Sequence, residues 1–270
     1  MKIAFIGGGN MATALIAGLV KDGSGTQVHV VDRNPDALAR LAADYGATTA
    51  GAIDAAVAGA DVIVLAVKPQ QMREVAGELA SHLKGGPLVL SIAAGIRGVD
   101  LARWLGGHQA IVRAMPNTPA LIGMGVTGLV ALQGVSEAQR AAADSVLRAV
   151  GQTVWLDAEA LIDPVTAVSG SGPAYVFYFL EAMQAAAIEM GLSAEQGKQL
   201  ALATFAGATE LAAQSSESLE VLRQRVTSKG GTTHAAITSM EASQVKESIV
   251  AAMKAAAARG RELGDELGKD

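Results

Sequence analysis

The sequence contains no cysteine, so disulfides, thiolate nucleophiles and zinc–sulfur sites are excluded. Aromatic residues account for only 3% of the 270 residues, although half of the chain is hydrophobic. The core must therefore be built from Ala, Val, Leu and Ile, which fits α/β layers and closely packed helices. No apolar run approaches the roughly 20 residues of a membrane span. The most apolar later stretch, residues 175–180, is followed by Glu181, Gln184 and Glu189.

Runs of basic residues are also lacking. The net charge is −5, and aromatic and basic residues are not interleaved, which argues against a nucleic-acid-binding protein. No spacing of His, Asp or Glu indicates a metal site. A predicted strand begins at Lys2 and leaves no room for a signal peptide, so we expect a soluble, cytoplasmic protein.

The N-terminal segment has the order of a nucleotide-phosphate cradle. Lys2–Ile6 form an apolar run, three glycines follow without a gap, and residues 13–20 have helical spacing. Gly7 allows the tight turn, Gly9 lets the backbone approach a pyrophosphate, and Ala12 lets the helix pack on the strand. The amides that open the helix lie at its positive end and suit an anion. A glycine turn kept for steric reasons alone is the alternative.

The end of the second predicted strand bears on the choice of dinucleotide. A loop at residues 23–25 leads into a strand at residues 27–31, and Asp32 follows that strand. An acidic side chain about 20 residues past the glycines would hold the ribose 2′-hydroxyl of NAD, whereas Arg33 could pair with the 2′-phosphate of NADP. Asp32 therefore favours NAD, whereas Arg33 favours NADP. Asp32 as a turn or cap residue before Pro35 is a further alternative.

Strands and helices alternate over this part of the chain, which predicts a Rossmann-type, doubly wound, mainly parallel sheet with right-handed crossovers. The apolar run at residues 61–67 is typical of a strand buried on both faces, and Lys68 and Pro69 end it at the ligand-binding edge. A loop beyond another strand end, residues 115–119, would direct Asn117 and Thr118 into the cleft. Further strands are predicted at residues 47–49, 88–93, 110–115, 126–131 and 153–156.

From about residue 160 the strand signals vanish and alanine-rich helical spacing takes over. We therefore predict a dinucleotide-binding domain over residues 1–158 and an all-helical domain for substrate binding and dimerisation over residues 159–270. Residues 169–173 predict a break before a long helix, and the last helix is expected to fray into a charged tail after Leu263. The apolar helix faces favour a homodimer, with a helical domain covered by its own sheet as the alternative. Capping boxes are predicted for Ser136 with Gln139 and for Ser193 with Gln196.

The helical region lacks a strong acid. Residues 157–197 contain no Lys, Arg or His, whereas most enzymes that reduce a carbonyl through a nicotinamide keep such an acid. An imine, whose nitrogen can already carry the proton, needs orientation, an anion anchor and a nearby hydroxyl instead. Residues 228–233 offer amides at a helix start and the hydroxyls of Ser228, Thr232 and Thr233. A glycine turn with a threonine cap is the alternative.

Five segments together resemble the pyrroline-5-carboxylate reductase family. They read FIGGGNMA at 5–12, AVKPQQM at 66–72, RAMPNTP at 113–119, SGSGPAY at 169–175 and VTSKGGTT at 226–233. The first is shared with many dehydrogenases, whereas the last two together are specific to this family. The likeness covers nearly the whole chain.

The resemblance implies an NAD(P)H-dependent oxidoreductase that transfers hydride to C5 of the imine 1-pyrroline-5-carboxylate and yields L-proline. It implies that Ser228 and the amides of Gly231 and Thr232 hold the substrate carboxylate, and that the catalytic Thr233 hydrogen-bonds the ring nitrogen. NADPH is the expected cofactor, with NADH as the alternative, and homodimers that assemble further into decamers are expected. Lys229 stands where the family usually has proline, which could loosen the loop or add a positive charge near the carboxylate.

The predicted site residues fall into two sets. The substrate-binding set is Ser171, Ser228, Gly230, Gly231, Thr232 and Thr233. The cofactor-binding set is Gly7, Gly9, Asn10, Met11, Ala12, Asp32, Arg33, Ala66, Val67, Lys68, Pro69, Met115, Pro116 and Asn117. Two other functions stay open at this point. A dehydrogenase of small hydroxy acids is disfavoured by the missing lysine, and a non-catalytic dinucleotide-binding protein is disfavoured by the second anion site.

Overall fold

A computed structural model of the chain describes residues 1–21, 23 and 25–269, so Ser24 of the predicted loop lies outside the described residues. Within these residues eight strands form one sheet. In chain order they are β1 Lys2–Ile6, β2 Gln27–Val31, β3 Thr48–Ala50, β4 Val62–Leu65, β5 Leu88–Ser91, β6 Ile111–Met115, β7 Gly125–Ala131 and β8 Gly151–Trp155. Across the sheet the order is β3-β2-β1-β4-β5-β6-β7-β8. Every predicted strand is present.

Most of the pairings are parallel, as the buried apolar runs predict. β1 pairs in parallel with both β2 and β4, and the parallel ladder continues through β5 to β6. The order of the strands therefore reverses between β1 and β4. In open sheets of this kind, ligands bind in the crevice outside the carboxyl ends of the strands at such a reversal.

One pairing is antiparallel, between β6 and β7, with Val112 opposite Ala131. The connection between these strands holds only a short 3₁₀ turn, Thr118–Ile122. A parallel return would need a crossover of about a dozen residues or more, so the chain folds back directly. The sequence pattern located β7 but did not reveal its direction. The prediction of a mainly parallel sheet is confirmed.

Helices cover both faces of the sheet. They are α1 Asn10–Lys21, α2 Pro35–Tyr45, α3 Ala55–Ala58, α4 Met72–Leu79, α5 Gly98–Trp104, α6 Glu137–Arg148 and α7 Ile162–Val165. Neighbouring residues of a strand point to opposite faces. Phe5 accordingly belongs to a core cluster with Leu15 of α1, whereas Ile6 belongs to a second cluster with Met72 of α4 and Leu101 of α5. The sheet separates two apolar cores.

Packing divides the described chain into two compact units. The first contains residues up to Gly172 and the segment from Lys254 onward, and the second is Pro173–Met253. The helices from Gly172 on are α8 Gly172–Glu189, α9 Ala194–Ala213, α10 Leu219–Arg225, α11 Thr232–Ala242 and α12 Val245–Leu267. The sequence pattern instead grouped residues 159–270 into one helical domain. The boundary at residue 158 stays a prediction.

The second unit leaves large apolar side chains uncovered. Phe177 and Tyr178 of α8 are 60% and 74% exposed, so they do not pack into the core of this chain. Met190 and Leu211 are similarly exposed. These side chains are candidates for contact with another chain. Among the described helices, none combines the length and the apolar character needed to cross a membrane.

Two local predictions are corrected. The predicted break at residues 169–173 is instead a wide π-helical turn, Thr166–Gly170, so the backbone stays helical from α7 into α8. Glycine and serine punctuate the sequence there, and that signal was interpreted as a loop. The first part of the predicted charged tail is helical as well. α12 continues to Leu267, and Arg97 forms an ion pair with Asp265 at 2.5 Å.

Asp144 joins α6 to the edge strand β8. Its carboxylate accepts hydrogen bonds from the Thr153 hydroxyl at 2.7 Å, the Trp155 indole at 2.9 Å and the Arg148 guanidinium at 2.5 Å. Partial burial alone would raise the pKa of Asp144. The three hydrogen bonds and the charge of Arg148 outweigh burial and hold the pKa below its ordinary value.

We expect Asp144→Asn to reduce the pH dependence of stability. The unfolded carboxyl titrates near about pH 3.9 and the folded one lower, so the unfolded state binds more protons in this range. The contribution of Asp144 is therefore complete above that value and is lost as the pH falls through the folded pKa. Urea midpoints measured at about pH 7 and about pH 3 should differ less in the variant than in the parent protein. Asp157→Asn, at an exposed carboxylate nearby, is the matched control, and an equal reduction there would contradict the assignment to Asp144.

Candidate active site

The turn after β1 brings backbone amides to the carboxyl edge of the sheet. Gly7 N–H donates to Val31 O at 2.8 Å, and Gly8 N–H donates to Asp32 Oδ2 at 2.6 Å. α1 begins directly afterwards, and Thr13 N–H donates to Gly9 O at 2.9 Å. The amides of the first helical turn have no intrahelical partner and lie at the positive end of the helix dipole. They form an anion-binding surface at the reversal of strand order.

Gly7 and Gly9 differ in what they require. Gly7 has a φ of +104°, and an added Cβ would lie 2.6 Å from Ala66 O, so the fold itself demands glycine there. Around a Cβ added to Gly9, no described atom lies within 4 Å. Ala12 is buried in the core between α1 and the sheet. The open space at Gly9 fits a bound pyrophosphate, which makes the turn a suitable cradle for a dinucleotide.

The predicted residues at two further strand ends lie along the same edge. Ala66 follows β4 and donates its N–H to Ile6 O at 2.8 Å. Ala66 and Val67 are half-buried, Lys68 is exposed, and Pro69 opens a short 3₁₀ turn, Pro69–Gln71. Met115 ends β6 and is half-buried beside the buried Pro116. Since β1, β4 and β6 run in the same direction, the carboxyl ends of all three strands meet at the edge that carries the glycine turn.

Asn117 points inward rather than into the cleft. Its side chain is buried, and its Nδ2 donates to the carbonyl and hydroxyl oxygens of Ser169, both at 3.3 Å. Its Oδ1 accepts from Val126 N–H at 2.9 Å. The amide therefore holds the start of β7 to the π-helical turn. Thr118 alone of the predicted pair is exposed.

Asp32 and Arg33 are each engaged by protein groups. Besides Gly8 N–H, Asp32 accepts from Asn34 N–H at 2.8 Å, so the turn role left open for it is present. The N-cap of α2 is Asn34, not Asp32. Arg33 NH2 donates to Glu74 Oε1 at 2.6 Å, and this hydrogen bond raises the pKa of Arg33. Asp32 and Arg33 favour different dinucleotides, and the choice between NAD and NADP therefore also involves a third charged side chain, Glu74.

Sequence reasoning missed the side chains that α4 adds to this region. Glu74 and Glu78 lie one helical turn apart, and both line a groove of about 250 Å³ together with Asp32, Arg33 and Val67. The signal was available, because a predicted helix after the Lys68-Pro69 turn must pass close to the same sheet edge. The half-buried residues 92–95, which follow β5, were not predicted as part of this edge. β5 ends at that edge between β4 and β6.

The loop at residues 228–233 assembles within the second unit. Gly230 has a φ of +75°, and Gly231 N–H donates to Ser228 O at 3.0 Å, which closes a tight turn. Gly231 is the N-cap of α11, so the helix starts at Thr232, within this loop segment. The amides of Thr232 and Thr233 therefore belong to the first helical turn. Ser228, Thr232 and Thr233 are exposed, and within the described residues no hydrogen bond from their hydroxyls is found.

Ser171 belongs to the first unit and directly follows the π-helical turn, where its N–H donates to Thr166 O at 2.8 Å. Just before it, a Cβ added to Gly170 would lie 2.5 Å from Met115 Cε. The π-helical turn therefore packs against the end of β6. Most of the predicted cofactor residues thus lie along one edge of the sheet in the first unit. The residues of the 228–233 loop lie together in the second unit. No group of three His, Asp or Glu side chains that could hold a metal occurs among the described residues.

Two family models match parts of the chain. Residues 159–263 match the family model for pyrroline-5-carboxylate reductase dimerisation, and residues 2–95 match a model described as NADP oxidoreductase coenzyme F420-dependent. A pyrroline-5-carboxylate reductase of Pseudomonas aeruginosa is 46% identical over 269 residues, which cover 99% of this chain and 98% of the relative. The chain belongs to the pyrroline-5-carboxylate reductase family.

Solved structures of the pyrroline-5-carboxylate reductase family share the whole fold. The chain superposes on the enzyme of Coxiella burnetii with a TM-score of 0.91 at 41% identity, over 97% of each chain. For the Plasmodium falciparum pyrroline carboxylate reductase with NADP bound, the TM-score is 0.86 at 27% identity, over 98% of each chain. The family prediction made from five sequence segments is confirmed, as is the prediction of an NAD(P)H-dependent oxidoreductase that acts on an imine.

Substitutions at Gly7 and Gly9 should have different effects, because a side chain at Gly7 disturbs the fold, whereas a side chain at Gly9 occupies the space proposed for the ligand. We expect Gly7→Ala to unfold the cradle or to lower the melting temperature steeply, because its Cβ would meet the Ala66 carbonyl. Gly9→Ala should cost at most about 1 kcal/mol of stability but weaken NADPH binding at least about tenfold. Melting temperature and the fluorescence of bound NADPH would be measured for both variants. Unchanged NADPH affinity in a folded Gly9→Ala protein would refute the cradle.

Proposed function

We propose that this member of the family reduces 1-pyrroline-5-carboxylate to L-proline, with NADPH as the reductant and NADH as the alternative. The observation that carries the proposal is the 228–233 loop, whose hydroxyl-bearing residues are exposed at the start of a helix in a chain that also has a dinucleotide cradle. The lack of Lys, Arg and His over residues 157–197 disfavours a hydroxy-acid dehydrogenase. The loop also gives the chain a second anion site that a simple dinucleotide binder does not need.

The first unit would hold the dinucleotide through its backbone. The amides that open α1, at Asn10, Met11 and Ala12, would donate to the pyrophosphate in the space left open by Gly9. Asp32 and Arg33 would lie beside the ribose of the adenosine half. The strand-end residues would line the nicotinamide half; they are Ala66, Val67, Lys68, Pro69, Met115, Pro116 and Asn117. Because the Asn117 side chain is engaged by Ser169 and Val126, its contribution would come from the backbone.

The loop of the second unit would bind the substrate carboxylate. Ser228 would donate its hydroxyl and Thr232 its amide at the positive end of α11. The Gly231 N–H already donates to Ser228 O at 3.0 Å, so it would reach the carboxylate only as a donor shared with that turn. Gly230 supports this arrangement through its left-handed conformation, which turns the chain into the helix. Lys229, which is exposed beside them, would add a positive charge and strengthen the attraction for the carboxylate. Ser171, which lies in the first unit, is the remaining residue of the predicted substrate set.

The ring nitrogen would be held by Thr233, whose hydroxyl oxygen would accept a hydrogen bond from the protonated imine. NADPH, when bound, supplies the hydride that adds to C5 of the ring. The electron pair of the C=N bond then moves onto the nitrogen, which already carries its proton, so the residues need not deliver a further one. Orientation and charge are therefore the main contributions of this chain to catalysis.

We further propose that the helical part pairs into a homodimer in the cytoplasm. The match to the dimerisation model and the exposed Phe177 and Tyr178 support the pairing. A decamer is the higher assembly to test, and light scattering of the purified protein would distinguish it from a dimer.

The function is tested with the purified protein, NADPH or NADH, and 1-pyrroline-5-carboxylate. We expect absorbance of the reduced cofactor to fall only when substrate is present, with proline formed in equal amount. A matched reaction with a small 2-oxo acid in place of the imine should show no decrease in the absorbance of the reduced cofactor. The proposal would be overturned if protein that binds NADPH oxidised neither NADPH nor NADH in the presence of the imine.

Thr233→Ala should lower kcat at least about tenfold, because the hydroxyl that orients the ring nitrogen is removed. NADPH affinity should stay unchanged. Thr227→Ala is the matched control, since the Thr227 hydroxyl already donates to Arg223 O at 2.6 Å and has no assigned role in catalysis. Thr233→Ser should restore most of the rate. Equal rates for the parent protein and Thr233→Ala would remove this residue from the mechanism.

A further inference from the structure

The groove beside Asp32 has an unusual charge balance for a site that would take a phosphorylated ribose. Its described lining contains three carboxylates, on Asp32, Glu74 and Glu78, and one guanidinium, on Arg33. A 2′-phosphate carries close to two negative charges at neutral pH. Carboxylates close to it would repel it, whereas a 2′-hydroxyl can donate to a carboxylate.

Arg33, the group that would pair with a 2′-phosphate, is held by α4. Its NH2 lies 2.6 Å from Glu74 Oε1 and 3.8 Å from Glu78 Oε1. Glu74 and Glu78 are four residues apart on α4, so both project from the same side of the helix. Arg33 therefore contacts this side of α4 in addition to lining the groove.

We propose that Glu74 is a specificity-determining residue that lowers the preference of this chain for NADPH over NADH by holding the Arg33 guanidinium. The inference rests on the proposed dinucleotide site. Glu74 acts through Arg33 and is therefore a positioning residue. It decides how much of the arginine's charge is available to a 2′-phosphate.

The expected change in cofactor preference depends on how exposed the Arg33–Glu74 ion pair is. The side chains of Arg33 and Glu74 are 68% and 58% exposed, so water and salt screen their attraction. Such a pair can be opened by a competing phosphate, and NADPH is therefore weakened rather than excluded. Releasing Arg33 and removing one repelling charge should together change the affinity ratio roughly three- to tenfold. NADH, which lacks the phosphate, should change by less than about twofold.

The test measures dissociation constants of NADPH and NADH from their fluorescence on binding, without substrate. Glu74→Gln should raise the ratio of NADPH to NADH affinity roughly three- to tenfold. Glu78→Gln should raise it less, because Glu78 lies farther from Arg33. Glu137→Gln, which removes the same charge from exposed α6, is the matched control and should leave the ratio unchanged. Melting temperatures would show that each variant is folded.

A double variant separates the role of Arg33 from general charge. In an Arg33→Ala background, Glu74→Gln should raise the ratio clearly less than in the parent protein, because the arginine that it releases is gone and only the removal of a repelling charge remains. A ratio within twofold of the parent for Glu74→Gln would overturn the proposal, as would an equal increase in Glu137→Gln or in the Arg33→Ala background. Because these are binding constants, a failure to reduce the imine would count against the proposed function and leave this test intact.

Discussion

The close approach of β1 to β4 governs the geometry of the first unit. Where the two strands end, Gly7 lies so near the Ala66 carbonyl that no side chain fits between them. This contact turns the chain sharply into α1 and directs the first amides of that helix toward the sheet edge. The ends of β4 and β6 lie along the same edge. A single backbone contact therefore determines where the amides that open α1 lie and which strand ends flank them.

The residues around this contact divide into those that build the fold and those that leave room. Gly7, Ala12 and Asn117 make contacts inside the protein, whereas Gly9 and the 228–233 hydroxyls make few. Packing explains the first group without any ligand. The second group is unexplained by packing, and for that reason it is the stronger evidence for binding. Asp32 belongs to the first group through its two hydrogen bonds, although it also lies at the end of β2 and lines the groove beside α4.

Local chemistry made much of the fold predictable. The strand–glycine–helix order and the capping box of Ser136 with Gln139 depend on neighbours a few residues apart, and both are present. The contacts that were missed join distant residues: Asp32 to Gly8 across 24 positions and Arg33 to Glu74 across 41. A sequence pattern shows that such residues share an edge but not which of them touch. The direction of β7 was missed for a different reason: it depends on the length of the connection before it, which the alternation of strands and helices does not take into account.

The edge strand β8 also bears on how the protein behaves in solution. An open strand edge is a template for pairing with another sheet. Here Arg140 lies over the Trp155 ring at 3.8 Å, and Asp144 ties both Trp155 and Thr153 to α6. Charge thus covers an edge on which Val154 is half exposed. Protonation of Asp144 in acid would loosen this cover, so the same titration that weakens the fold would also favour aggregation along β8.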